Sequence, residues 1–197
     1  MSSTPIKSPK NENVSSPQLR TLEIKSPSSP VTLCHSKTAK DNIVQLNKLI
    51  HDWKELTLKS IKIIKSIYQI KAKSFDDETD WITELEALFI SAEEAIASYD
   101  NIVCSMKIIL NKFKALTKLC DENDILLITC TAESTEHIVQ KIVERYEKEL
   151  CVKRVIFGNI AHTADVSKLT MYTMGWEKEV HIENVSVDIL RINLETK

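Results

Sequence analysis

The chain has 197 residues, 43% of them apolar, and its charged residues nearly balance at a formal net charge of −2. This is enough for one domain with a buried core, and the charge excludes a strongly basic, nucleic-acid-coating protein. Only two glycines are present, which excludes glycine-rich phosphate-binding loops and argues against strand-rich folds, whose turns need glycine. We therefore expect an all-α protein.

Residues 1–36 are predicted to form a disordered tail. They contain all five prolines, each preceded by Ser or Thr, and few large apolar residues, so burial cannot offset the entropy of ordering. The word IKSP occurs twice, at 6–9 and 24–27. The candidate acceptors for proline-directed phosphorylation are Thr4, Ser8, Ser16, Ser26 and Ser29. Arg20, Leu22 and Ile24 fit a cyclin-docking pattern, and chance occurrence in a Ser/Pro-rich tail is the alternative for both interpretations.

Residues 37–197 contain no proline and are predicted to form one helical domain. Apolar residues three and four apart predict a first helix over 39–73 and a second over 78–120, paired as a long, coiled-coil-like antiparallel hairpin. The first stripe is Leu46, Leu49, Trp53, Leu56, Ser60, Ile63, Ile67 and Ile70, with Ser60 as its one polar member. The second is Trp81, Leu85, Leu88, Ala92, Ala95, Tyr99, Ile102, Met106, Ile109, Phe113, Leu116 and Cys120.

Charge suggests how these helices meet. The end of the first helix, 59–73, carries lysines without acids, and the start of the second, 76–100, carries acids without bases. A hairpin turning at 74–77 lays the two segments side by side, and acids suit a helix start. The alternative is that the lysines hold nucleic acid, but the nearby acids would repel phosphate, so we expect neither direct nucleic-acid binding nor a membrane span.

The C-terminal part is predicted to contain shorter helices after a packed connection at 121–131. A third helix over 132–162 places Ile138, Ile142, Tyr146, Leu150 and Phe157 near one face. C-terminal helices follow over 165–195, with Asp165 as an N-cap. The segment 182–194 fits either a strand or a helix, and we interpret it as a helix.

The sequence contains no pattern of convergent catalytic groups. It has no P-loop, no nucleophile elbow and no HExxH zinc motif, and its five cysteines lack CxxC spacing. We predict reduced thiols, no metal, no cofactor and no enzymatic activity. Trp176, outside the clean stripes, is an interface candidate.

The segment YEKELCVKRVIFGNIAHTAD, 146–165, followed by Tyr172 and Trp176, resembles the C-terminal signature of the cyclin-dependent-kinase-2-interacting protein family. Lys40–Asn42 and Trp53 are similar to the start of that family's first helix. The chain departs from the family at 130–131, where it has Cys-Thr in place of a Trp-Pro pair. By this resemblance, the partner-binding candidates are Tyr146, Glu149, Leu150, Lys153, Arg154, His162, Tyr172 and Trp176.

The resemblance implies a non-enzymatic helical adaptor subunit, nuclear and cytoplasmic, linked to cyclin-dependent and checkpoint kinases in DNA replication. It also implies membership, beside a small helical partner, of an AAA+ ATPase complex of ribosome maturation. The alternative from the residues alone is a self-associating structural coiled coil of a cytoskeletal or tethering assembly. That alternative predicts a homodimer through 85–120.

Overall fold

The computed structural model describes residues 30–73, 81–121, 125–182 and 185–195. In these ranges it contains five helices and no strand: α1 (Pro30–Lys73), α2 (Trp81–Thr117), α3 (Ala132–Ile160), α4 (Val166–Lys178) and α5 (Val185–Glu195). The all-α prediction is confirmed. The phosphorylation and cyclin-docking candidates and the predicted turn at 74–77 lie outside the described residues.

The first helix begins earlier than predicted. It starts at Pro30, so residues 30–36, assigned to the tail, belong to α1. The first turn of a helix tolerates proline, because the amide that proline lacks has no intrahelical partner there and its φ is already helical. The last proline of the chain therefore starts the helical part instead of preceding it.

The two long helices pack as the predicted antiparallel hairpin. Near the end of α1, the ammonium of Lys71 lies 6.0 Å from the ring of Phe89, near the start of α2. At the other end, His35 Nδ1 lies 3.7 Å from Cys120 Sγ, just after α2. Members of the two charged segments also pair with the other neighbouring helix, since Lys65 of α1 pairs with Glu177 of α4 and Asp100 of α2 pairs with Arg154 of α3.

All five helices form one bundle with four positions. α2 packs against α1 and α3, and α4 packs against α3 and α1, which closes the ring. α5 follows α4 and packs against the same two helices. α4, which ends at Lys178, and α5, which begins at Val185, therefore share the fourth position.

The helices bury heptad stripes toward the bundle axis. Half of the predicted α1 stripe is confirmed, since Leu46, Trp53, Ser60 and Ile67 are buried. Three other predicted members, Leu49, Leu56 and Ile63, are only half-buried, and the residue after each of them is buried instead. The buried stripe of α1 is Ala39, Ile43, Leu46, Ile50, Trp53, Thr57, Ser60, Ile64 and Ile67. This a/d spacing is typical of helices in a four-helix bundle.

The connection before α3 is packed rather than extended. Leu126 and Leu127 are buried, and both amides donate to the carbonyl of Cys130. Thr131 then acts as the N-cap of α3, since its hydroxyl accepts from the Ser134 amide at 3.3 Å.

None of the described helices is long and apolar enough to cross a membrane.

Candidate functional site

The centre of the bundle contains a group of polar side chains at core positions, which we call the polar layer. All four bundle positions contribute to it, and its charged members lie on α3 and just after α4. The polar layer consists of Trp53, Thr57, Ser60, Tyr99, Glu149, Lys153, Trp176 and Glu179. Polar groups this deep need hydrogen-bond partners, because each unsatisfied group costs free energy.

Lys153 is fully buried at the centre of the polar layer. Its Nζ donates to the backbone carbonyl of Trp176 at 2.9 Å and lies 3.4 Å from Glu179 Oε1. The rings of Trp53, Tyr99 and Trp176 surround the ammonium at 5.9, 5.2 and 5.0 Å. Burial lowers the pKa of Lys153, and the carboxylates of Glu179 and Glu149 oppose that shift. The lysine therefore fixes the last turn of α4 against α3.

Glu179 is the C-cap residue of α4, and its carboxylate accepts two hydrogen bonds from α1. Its backbone is left-handed, with φ 46° and ψ 61°, which is unusual for a residue other than glycine. Its Oε1 accepts from Trp53 Nε1 at 2.7 Å and from the Thr57 hydroxyl at 2.8 Å. These bonds compensate for the strained backbone and hold the point where α4 stops.

A directed series of hydrogen bonds links the end of α4 to α1 and α2. Trp176 Nε1 lies 2.9 Å from Ser60 Oγ, which is 2.9 Å from Tyr99 Oη, itself 2.9 Å from Thr57 Oγ1. Because an indole only donates and a carboxylate only accepts, the series is satisfied when each hydroxyl donates toward Glu179. Burial is the main cause that raises the pKa of Tyr99, to about 12. The phenol therefore keeps its proton.

Glu149 is the least satisfied member of the polar layer. Its Oε2 accepts from the His181 amide at 3.1 Å, and among the described residues its buried Oε1 has no hydrogen-bond partner. Burial raises the pKa of Glu149 above its usual range, although the His181 amide and Lys153 act in the opposite direction. With Lys153, Glu149 fixes the chain just after α4.

The structure places most of the sequence-derived partner-binding candidates inside the bundle. Their side chains pack against other helices and are not accessible on the surface; the buried candidates are Tyr146, Glu149, Leu150, Lys153 and Trp176. Arg154 is exposed and pairs with Asp100 of α2, His162 is exposed, and Tyr172 is half-buried. In this conformation the 146–165 segment mainly builds the core. The polar Ser60 in the α1 stripe was the sequence signal for the polar layer.

A surface groove runs between α3 and α4, directly outside the polar layer. It has a volume of about 490 Å³ and its lining is almost entirely apolar, and we call it the α3–α4 groove. Its lining residues are Lys148, Cys151, Val152, Val155, Ile156, Met171, Tyr172, Gly175 and His181. Val155 and Met171 are 56% and 58% exposed. A methyl group on Gly175 would lie 3.2 Å from Ile156 Cδ1, so glycine allows the close approach of α4 to α3 at the groove floor.

Sequence reasoning identified only Tyr172 among the residues that line this groove. The signal was available, since Val155 and Met171 are apolar residues outside the buried heptad stripe of their helices. No cluster of three or more His, Cys, Asp or Glu side chains suited to a metal ion occurs in the described ranges. The site offers an apolar surface with a basic edge rather than a set of reactive groups.

Comparison with models of known protein families gives no match. Similar curated proteins do exist, and all three are named cyclin-dependent kinase 2-interacting protein. The Xenopus laevis protein is 27% identical over 195 residues, which covers 86% of this chain and 93% of that protein. The Mus musculus protein is 26% identical over 210 residues, with 91% and 97% covered.

The Homo sapiens protein is 23% identical over 206 residues, covering 91% of this chain and 95% of the human protein. The three alignments extend over nearly the whole length of both partners. Over nearly its whole length, the chain is therefore similar to cyclin-dependent kinase 2-interacting proteins.

Proposed function

We propose that this chain is a non-enzymatic helical adaptor subunit that binds a protein partner through the α3–α4 groove. The observation that carries the proposal is the apolar groove itself, where Val155 and Met171 expose more than half of their surface. Contiguous exposed apolar surface on a folded protein is typical of interaction sites. The direct role of the 146–165 segment is then to build the bundle that presents the groove.

The polar layer supports a preformed binding site. On the inner side of α3, Lys153 binds the last turn of α4 and Glu149 binds the amide of His181, three residues after α4 ends. Val152 and Val155 of the same helix lie in the groove. The two walls of the groove are therefore held together from inside. A wall that is already ordered loses less conformational entropy when a partner binds.

The names of the relatives suggest the first partner to test. They are called cyclin-dependent kinase 2-interacting proteins, and we extend that interaction to this chain as part of the proposal. We further propose, from the family resemblance, a role in replication and checkpoint signalling and membership of an AAA+ ATPase complex of ribosome maturation with a small helical partner. Nuclear and cytoplasmic localisation, and phosphorylation at the five Ser/Thr-Pro sites, belong to the same proposal.

Affinity purification of matched variants tests the groove. Val155→Asp places a charge in the α3–α4 groove, and Ile108→Asp places the same charge on α2 at nearly equal exposure, 56% against 54%. Both proteins should fold, because neither side chain is buried. We expect the tagged Val155→Asp chain to lose the kinase and ATPase partners in mass spectrometry and Ile108→Asp to keep them. Equal recovery by both variants would contradict the proposal.

The alternative hypothesis, self-association, requires that α2 contacts a second copy of the chain. Its central residues Tyr99, Met106 and Phe113 are fully buried by other helices of the same chain, so they are not accessible to a second copy. A homodimer through 85–120 would have to displace these intrachain contacts. Light scattering on the purified chain distinguishes the two, because a stable symmetric dimer would favour the structural coiled coil.

A further inference from the structure

We propose that the occupant of the α3–α4 groove is an amphipathic α-helix whose apolar stripe is flanked by acidic residues. This inference rests on the proposed function, since it specifies the chemistry of the partner segment at the same groove. It is carried by the shape of the groove and by the charges at its edge.

The shape of the groove favours a helix over an extended segment. Its two walls are helices, and a third helix packs side chains into such a groove while keeping its own amides and carbonyls hydrogen-bonded. An extended segment would place unpaired backbone groups on an apolar floor, and the described part of the chain provides no sheet edge to pair them. The α3 wall from Lys148 to Ile156 corresponds to about 12 Å, or roughly two turns of a partner helix.

The edge of the groove is basic. Lys148 lines it, and Lys168 and Lys178 extend the same face of α4, three residues before Met171 and three after Gly175. All three lysines are exposed.

Two acids of α3 and α4 pair with lysines of other helices, and Glu144 of α3 accepts from Gln140 of its own helix. Glu147 of α3 pairs with Lys107 of α2, and Glu177 of α4 pairs with Lys65 of α1. Among the described residues that line the groove there is no carboxylate. An acidic flank on the partner helix is therefore the complementary charge.

The unmodified N-terminal segment of this chain does not have that charge. Residues 1–29 contain four bases, Lys7, Lys10, Arg20 and Lys25, against two acids, Glu12 and Glu23. A separate protein with an acidic amphipathic helix fits the edge better than this segment does.

Two designed peptides test the inference on the full-length chain. Both are helical, about 18 residues and ~27 Å long, with the same leucine stripe, and they differ only in carrying Glu or Lys on its flanks. We expect the acidic peptide to bind about tenfold more tightly by fluorescence anisotropy, since three exposed charge pairs contribute a modest free energy each. It should also slow alkylation of Cys151, which lines the groove, and not of Cys104, an exposed thiol on α2.

Charge reversal provides the control. The double variant Lys148→Glu, Lys168→Glu should abolish or invert the preference for the acidic peptide, whereas Lys48→Glu, Lys59→Glu, with the same net charge, should keep it. Absence of binding, equal affinity for both peptides, or equal protection of Cys104 would overturn the inference. If Val155→Asp still removes the cellular partners in that case, the adaptor proposal stands and only the partner chemistry fails.

Discussion

Lys153 holds a positive charge among three aromatic rings at the centre of the bundle, where the loss of hydration is costly. Two partners offset that cost, the Trp176 carbonyl and the Glu179 carboxylate. Replacement of a whole buried ion pair by apolar residues is often tolerated, whereas removal of one partner leaves the other charge unpaired. The polar layer should therefore be sensitive to single substitutions.

Lys153→Ala should lower the free energy of unfolding by about 3–5 kcal/mol, because it leaves the Glu179 carboxylate without its cation. Lys148→Ala, on the exposed face of the same helix, should change it by no more than ~0.5 kcal/mol. Urea denaturation followed by circular dichroism measures both. Equal midpoints for the two variants would show that Lys153 is not part of a stabilising network.

The buried phenols predict a loss of stability at alkaline pH. The folded-state pKa of Tyr99 is about 12, above its usual value of 10.0, so the folded protein binds the proton more tightly than the unfolded chain does. The stability contributed by Tyr99 is fully present below pH 10 and is lost as the pH rises toward 12. Burial also raises the pKa of Tyr146.

Ultraviolet absorbance of the phenolate checks this expectation. In the folded protein two of the four tyrosines should ionise later than they do in urea, and Tyr99→Phe should remove one late transition. If every tyrosine of the folded protein ionises at the same pH as in urea, the phenols are not buried and the expectation is wrong.

At the scale of the helices, lysines from neighbouring helices bind the C-terminal carbonyls of both α3 and α4. Lys71 of α1 donates to the carbonyls of Ile160 and Ala161 at 2.7 Å, and Lys153 does the same for Trp176 in the last turn of α4. Cations stabilise helix ends that carry unsatisfied carbonyls. Each end is therefore fixed by a tertiary contact as well as by its own sequence.

Burial differs along the single predicted stripe of α2, although its members look equivalent in the sequence. Met106 is fully buried, whereas Leu88 is only half-buried at the side of the helix. We expect Met106→Ala to cost about 2–4 kcal/mol and Leu88→Ala about 1 kcal/mol or less, because less apolar surface is lost at Leu88. Thermal melts of both variants give the ranking, and a larger effect at Leu88 would contradict the deeper burial of Met106.

The sequence predicted the helices better than their orientation. Low glycine content and heptad spacing gave the all-α hairpin, and Asp165 was identified as the N-cap of α4, where its side chain accepts from the amides of Ser167 and Lys168. Two features were not predictable from local patterns. Every second position of the α1 stripe is one residue away from the predicted one, as at Ile50 instead of Leu49. Glu149 and Lys153 are buried, because only the assembled bundle supplies their partners.

At the scale of the whole molecule, α4 and α5 share one position of a four-helix bundle, and the interruption between them begins at Glu179. Lys153 of the polar layer pairs with Glu179 on the inner side of α3 and α4. The α3–α4 groove lies on the outer surface of these two helices. Interior and surface are thus coupled through α4. The account predicts that substitutions in the polar layer weaken folding and binding together, whereas substitutions in the groove weaken binding alone.

The most direct test of partner binding at the α3–α4 groove is the alkylation rate of two exposed thiols in the partner-bound protein. Cys151 lines the groove and Cys104 lies on α2. Their rates are compared by mass spectrometry in the isolated chain and in the assembly recovered with it from cells. The account predicts that Cys151 reacts more slowly in the assembly and that Cys104 is unchanged. Unchanged reactivity of Cys151, or protection of Cys104 instead, would contradict it.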